Sequence, residues 1–534
     1  MRQLLLWVLP FLMVDVCKAE DITIRFNGST AKVEQQTKDS VNVTVEGSHV
    51  SIESFYQAHK LSVLLTGRSD DGQLVLKTAG KAKVKLNNLN LTSQEGAPLW
   101  LKNKKKVEII APERTKSSLS ITACDDTLNH KSAVIWAKDK ILFSGKGTLD
   151  IVATGDGCRG IKCKDDITIE DITLNVTTSG NHLGEKPFSM GGFGGGPMGG
   201  MPQFHPDSIP EDVKKQFENM RKEFEERMKD SDFPMGGFGG PMGGFNGHAE
   251  GGFPAFNDSA SAHFPPFRGG DAPGGMDFGK HKYVSPAKGI SSKGQVIIHS
   301  GNVTVRTSTP GAEGIEGKEG VVLNGGNVDV LATDDAINAN ACIEFNGAQV
   351  MAISTTNDAV DANLVDFFAG GFGGFGGFGA NQATQGTPPE GGVEGGSPAA
   401  SDPAIIIRGG TVYAWSQRGM PEEGLDCDFS PIEISGGKVF SVGAGMGDMP
   451  SVPTQETAKQ ATALLIGINI TKDEPIQIYD SKGKLIDTIT VPFSLNRSSS
   501  LITSPLFNMG ETYTVRTKNY EKTFTLSETF VTIR

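Results

Sequence analysis

The residues best placed to do chemistry in this 534-residue chain come as a repeat, TDDAINAN at 333–340 and TNDAVDAN at 356–363. Asp335 recurs as Asp358, and Asn338 recurs as Asp361. The register extends along the chain when it is set on an apolar anchor at Ile135, Ile161, Ile290, Ile315, Ile337, Val360 and Leu425. Two residues before the anchor the column reads Ala133, Arg159, Lys288, Glu313, Asp335, Asp358, Glu423. One residue after it, starting a unit earlier, the column reads Trp100, Trp136, Lys162, Ser291, Glu316, Asn338, Asp361, Asp426. Three after, it reads Lys102, Lys138, Lys164, Lys293, Lys318, Asn340, Asn363, Asp428.

Carboxylates superposed at strand spacing repel one another unless something compensates them. Calcium suits that role, because it takes about six to eight hard oxygen ligands from carboxylates, amides and backbone carbonyls. The candidate ligands are Glu313, Asp335, Asn338, Asp358, Asp361, Glu423, Asp426 and Asp428. The competing explanation is that Asp and Asn favour turns. Lys138, Lys164, Lys293 and Lys318 form either a solvated edge, neutralised by Asp139, Asp165 and Glu319, or a contact row for an anion. Trp100 and Trp136 share an outward column, where exposed indoles would make a stacking platform for sugar rings. For catalysis there is only the Asp334-Asp335 pair, with no Gly-His-Gly or Arg-Ile-Lys partner, no Ser-His-Asp set and no zinc pattern.

Such columns require stacked elements. Outside two Gly-rich stretches the chain reads as short β-branched runs ended by Gly, Asn and Asp. Anchors fall 26 residues apart from Ile135 to Ile161 and 22 from Ile315 to Ile337, with a mid-unit turn such as SGKG, HSGN, NGGN or RGGT. An all-strand period in the low twenties predicts an all-β fold, a right-handed parallel β-helix, since no single coil buries its apolar face alone.

The expected boundaries follow. Residues 1–19 have one Arg, an apolar run and a small-x-small ending, the pattern of a secretory leader. A β cap at 20–60 closes the first coil, the β-helix occupies 61–455, and alternating hairpins at 461–534 make a small C-terminal β domain. Insertions at 184–285 and 367–402 hold runs such as GGFGGGPMGGM and GGFGGFGGFG, which cannot bury a core. Within the first, a capping box from Ser208 to Glu211 and an apolar stripe predict an amphipathic helix at 209–229. No segment is long enough to span a membrane. A formal net charge of -12 argues against nucleic acid as a partner. Beyond Cys17 of the leader, five cysteines do not make a disulfide framework, and Cys124 with Cys158 is the one pair to test.

LSVLLTGRSDDGQLVL, KVKLNNLNLTSQEGAPLWL, GIKCKDDITI, GIEGKEGVVLNGGNVDV and TDDAINAN resemble a bacterial family of carbohydrate-binding domains shaped like polysaccharide lyases. The resemblance spans roughly Lys60 to Gly447 without the insertions. It implies an exported, calcium-holding right-handed parallel β-helix that binds plant cell-wall polysaccharide, including acidic pectin-like polymers, without a need for cleavage. The chain departs from it in its long Gly/Phe/Met insertions and Lys-rich early coils. The rival readings are an active polysaccharide lyase or hydrolase, and a surface adhesin or structural protein that self-associates through its Gly-rich arms.

Overall fold

The computed structural model describes residues 21–36, 40–124, 132–181, 287–363, 402–427, 430–444 and 450–534. The expected leader at 1–19, the insertion at 184–285 with its helix, residues 364–401 and Asp428 lie outside the described residues. What is described is all-β, without a helix, and built largely of parallel sheets.

Each 22–26-residue unit supplies three strands. In one unit these are Arg159–Cys163, Ile167–Ile169 and Thr173–Thr178, and each pairs in parallel with its counterpart in the next unit. The first strands stack into an 11-stranded sheet, while the second and third belong to a 23-stranded one. Apolar residues alternate inward along these strands, so the anchors Ile135, Ile161, Ile290, Ile315, Ile337 and Val360 are all fully buried, one above the next. Burying one such side chain contributes about 1.5–3 kcal/mol, and the stack repeats that gain in every unit. Between the second and third strands the chain must reverse within a few residues. Gly326 and Gly410 do this at φ values of 81° and 84°, in the left-handed region that a Cβ disfavours.

Antiparallel pairing appears at both ends of the stack. At the start, Ile22–Asn27 pairs with Thr30–Gln35, and Val41–Glu46 pairs with His49–Ser54. At the other end, Leu495–Thr503 pairs antiparallel with Lys438–Val442 and with Thr462–Ile470. Of the C-terminal segment, Thr462–Ile470, Leu495–Thr503 and Phe530–Ile533 join the long sheet and cover the edge of Lys438–Val442. Pro475–Asp480, Leu485–Thr490, Thr512–Arg516 and Glu521–Thr525 form a four-stranded antiparallel sheet of their own. The segment also packs Ile468, Ile478 and Phe524 into one core with Trp415 and Phe440 from the last units. Cys124 and Cys158 are joined, the pairing the sequence singled out. No helix among the described residues is long and apolar enough to cross a membrane.

Candidate functional site: a charge-graded sheet face

The outward columns inferred from the sequence are real neighbours. Cross-strand pairs run Trp100↔Trp136, Trp136↔Lys162, Lys162↔Ser291, Ser291↔Glu316, Glu316↔Asn338, Asn338↔Asp361 and Asp361↔Asp426. Because side chains alternate with a period of two, every member of this row leaves the same face of the 11-stranded sheet. That face runs from aromatic and basic to acidic.

At the aromatic end the expectation of a flat two-ring platform is not met. The indoles of Trp100 and Trp136 meet edge to face, 6.2 Å between centroids and 85° between planes. Trp136 is only 4% exposed and packs with Ala97 and Ala133, while Trp100 is half-buried. An edge-to-face pair suits the ring quadrupoles better than a face-to-face sandwich. Lysines also reach over the rings, Lys102 at 3.7 Å from the Trp100 centroid and Lys164 at 5.6 Å from that of Trp136.

In the middle of the face the charges are paired. The Lys288 ammonium donates to Glu313 Oε1 at 2.6 Å and to Glu316 Oε1 at 2.7 Å, and Lys318 reaches Glu316 at 2.5 Å. Burial raises the proton affinity of both carboxyls, and the lysines oppose it. Glu316, served by two, falls to about 2, whereas Glu313, which shares one, stays above the usual range. The second oxygen of Glu313, Oε2, is buried and takes no hydrogen bond. Asp139 and Asp165 were expected to neutralise the lysine row. Instead Asp165 lies 3.8 Å from Lys140, Asp166 takes a 2.6 Å bond from the same ammonium, and Asp139 accepts the Lys140 backbone amide.

Beyond Glu316 the row turns acidic. Asp335, Asn338, Asp358, Asp361 and Glu423 are each between 5 and 9% exposed. Asn338 Nδ2 donates to Asp335 Oδ2 at 3.0 Å and to Asp361 Oδ2 at 2.9 Å, while Asn357 donates to Asp335 and Asn363 to Asp361. The Glu423 backbone amide donates to Asp358, and Ser451 donates to both Glu423 and Asp426. Amide dipoles satisfy lone pairs but do not cancel charge. Burial, then the charges of Asp361, Asp334, Asp358 and Glu313, push Asp335 well above the usual carboxylate range. Burial and Asp426 do the same to Asp358 against the pull of the Glu423 amide, with Asp361 and Glu422 adding to the rise. Among the described residues no three His, Cys, Asp or Glu side chains converge into a ready-made metal cage. Asn338 stands between the two carboxylates that would have to meet.

Sequence reasoning chose Lys138, Lys164, Lys293 and Lys318 as ligand contacts, and the paired strands put them in one row. It passed over Arg159, Lys162, Lys288 and Glu316, although the same columns contained them. The signal was the change of sign along a column, which a search for carboxylates alone overlooks.

Residues 37–186 and 275–362 match the family described as carbohydrate-binding domain-containing protein. No curated protein matches this sequence. Among solved structures the chain resembles a polysaccharide lyase-like protein from C. thermocellum, determined as a gadolinium derivative. The identity is 16% and the TM-score 0.37, over 63% of this chain and 91% of that one.

Proposed function

We propose, from that family match and from the graded face, that the chain is an exported polysaccharide-binding protein. We read its stacked units as a right-handed parallel β-helix. A glycan would lie along the outward face of the 11-stranded sheet, passing the Trp100 and Lys102 pair, with Lys138, Lys164 and Lys293 facing its anionic groups. The observation that carries this reading is the unbroken register of aromatic, basic and acidic residues on one face. A neutral wall would need no such order. The ligand class we assign is an acidic, pectin-like polymer, bound without being cleaved.

Calcium belongs to this reading. The donor set fits it, because Glu313, Asp335, Asp358 and Asp361 supply hard oxygens and Glu313 Oε2 is an orphaned buried acceptor beside Asp335. A divalent cation held there would offset the repulsion and offer an anionic sugar a bridging charge. Asn338 can join the ligands by turning its amide oxygen toward the carboxylates. Ser451 already holds Glu423 and Asp426 in place.

Affinity electrophoresis of the full chain in polygalacturonate and in a neutral glucan, with calcium and with chelator, tests the reading. Retardation in polygalacturonate, weakened by chelator, is expected. Unretarded migration in every polysaccharide would overturn the function. Unsaturated products formed from polygalacturonate at enzymatic rates would replace binding with a lyase reaction.

A further inference from the structure

We propose that Arg159, Lys162, Lys164 and Lys293 form a subsite for one anionic substituent of a glycan, carboxylate or sulfate. This rests on the polysaccharide-binding reading and adds to it a place, a charge requirement and a pH dependence.

The geometry is a group of cations whose nearest carboxylates, Glu313 and Glu316, are shared with Lys288 and Lys318. Arg159 and Lys162 lie three residues apart on the strand Arg159–Cys163, and Lys162 is the cross-strand partner of Ser291. Arg159 is 8% exposed, and one of its donors, Nη1, reaches Ser291 Oγ at 3.3 Å. A guanidinium offers five N–H donors in a planar fork suited to a two-oxygen anion. The carboxylates that could have neutralised the cluster are Glu313 and Glu316. Glu313 is held by Lys288, and Glu316 by Lys288 and Lys318. Ser291 hands its own proton to Glu316 Oε2 at 2.8 Å, so the hydroxyl faces Arg159 as an acceptor.

The groups around the Lys162 amine are Trp136 on one neighbouring strand and Ser291 on the other, with Lys293 just past Ser291. Arg159 and Lys164 belong to its own unit, Lys138 and Lys288 to the units on either side, and Glu316 stands two units on. Burial, followed by the charges of Arg159, Lys164 and Lys293, brings the Lys162 ammonium down to about 8, with Glu316 pulling the other way. Arg159 is buried and Lys162 half-buried, with Lys164 and Lys293 exposed beside them, so their like charges repel and an anion among them offsets that repulsion. With an anion in place the ammonium form of Lys162 is favoured again. Binding at pH 8–9 therefore draws a proton from solution, and affinity falls as pH rises above 8, by up to about tenfold per unit.

The test is titration calorimetry of the full chain with trigalacturonate, a sulfated galactan oligosaccharide and a neutral cello-oligosaccharide. It is run at pH 7, 8 and 9 in two buffers of different ionisation enthalpy. Anionic ligands should bind more tightly than the neutral one, with a buffer-dependent heat that reports proton uptake near pH 8.5. Whichever anion binds more tightly names the substituent, and either result supports the subsite. Lys162→Met should bring the anionic-to-neutral affinity ratio down about tenfold and remove the proton uptake. Lys162→Arg, which keeps the charge and the fold, should preserve the ratio but lose the uptake. Equal affinity for anionic and neutral ligands, or proton uptake that survives in Lys162→Arg, overturns the proposal while leaving the polysaccharide-binding function intact. Absence of binding to all three ligands overturns both.

Discussion

Asn338 and Asp361 are cross-strand partners in successive units, and the amide of the first donates to the carboxylate of the second at 2.9 Å. The same amide also holds Asp335, so one neutral side chain stands where two buried carboxylates approach. It supplies hydrogen bonds but no positive charge. The acidic end of the face is thus satisfied in geometry and unsatisfied in charge.

Asp358→Asn separates those two accounts. The amide oxygen of the variant can still accept the Glu423 backbone N–H, while a buried carboxyl that is costly to ionise disappears. In chelator the variant should be more stable than the parent by about 1 kcal/mol, because it removes repulsion. In calcium the order should reverse, because a proposed calcium ligand has gone. Thermal melts of both proteins in both buffers decide it, and a variant less stable in chelator would show that repulsion does not dominate there.

Lys288→Met leaves two buried carboxylates, Glu313 and Glu316, without their shared ammonium. Stranding one partner of a buried pair costs about 3–5 kcal/mol. The urea midpoint should fall accordingly, and adding Glu316→Gln to the same chain should recover part of it. A midpoint within error of the parent would mean that Lys318 alone can hold the cluster.

Gly314→Ala should disturb the site through the backbone. A Cβ at that position would lie 2.3 Å from Val330 Cγ1 and 2.6 Å from the Ala336 carbonyl oxygen. The neighbouring strands must part, at a cost of about 1–3 kcal/mol, and Glu313 and Glu316 move with them. Lower stability together with weaker glycan binding is the expected pair of results; unchanged stability would refute the close packing.

The thiols of Cys163 and Cys342 should be slow to alkylate. Burial pushes Cys163 up to about 12 and Cys342 up to about 11, Glu344 adding to the rise at Cys342. At pH 8 only about one molecule in a thousand, for Cys342, carries the thiolate that reacts. Because both groups titrate far above pH 8, iodoacetamide labelling should quicken about tenfold per pH unit between 8 and 10. Half-buried Cys342 should react before buried Cys163. Rapid labelling of native protein at pH 8 would contradict this.

Much of the architecture was legible in the residue string because the repeat has a short period and its anchors are aliphatic. A row of Ile and Val every 22–26 residues has one economical solution, and the observed pairing Ile315↔Ile337↔Val360 follows it. The ordering of the outward row, from Trp100 to Asp426, came with that register. Partners across the row were not legible, because a column names neighbours but not which way long side chains reach. Lys288 could as well have been a solvated edge residue as the bridge between Glu313 and Glu316. The packing of Trp136 against the small residues Ala97 and Ala133, which lie outside its column, was not legible either.

The sequence by itself therefore determined the strand period, the parallel stacking and which residue types share each rung, because a side-chain alternation of two and a fixed coil length leave no freedom in those. Only the tertiary structure decided where the charges are neutralised and where they are not. That depends on burial and on the reach of Lys288, Lys318 and Asn338 across neighbouring strands, distances of a few ångströms that sequence spacing does not encode.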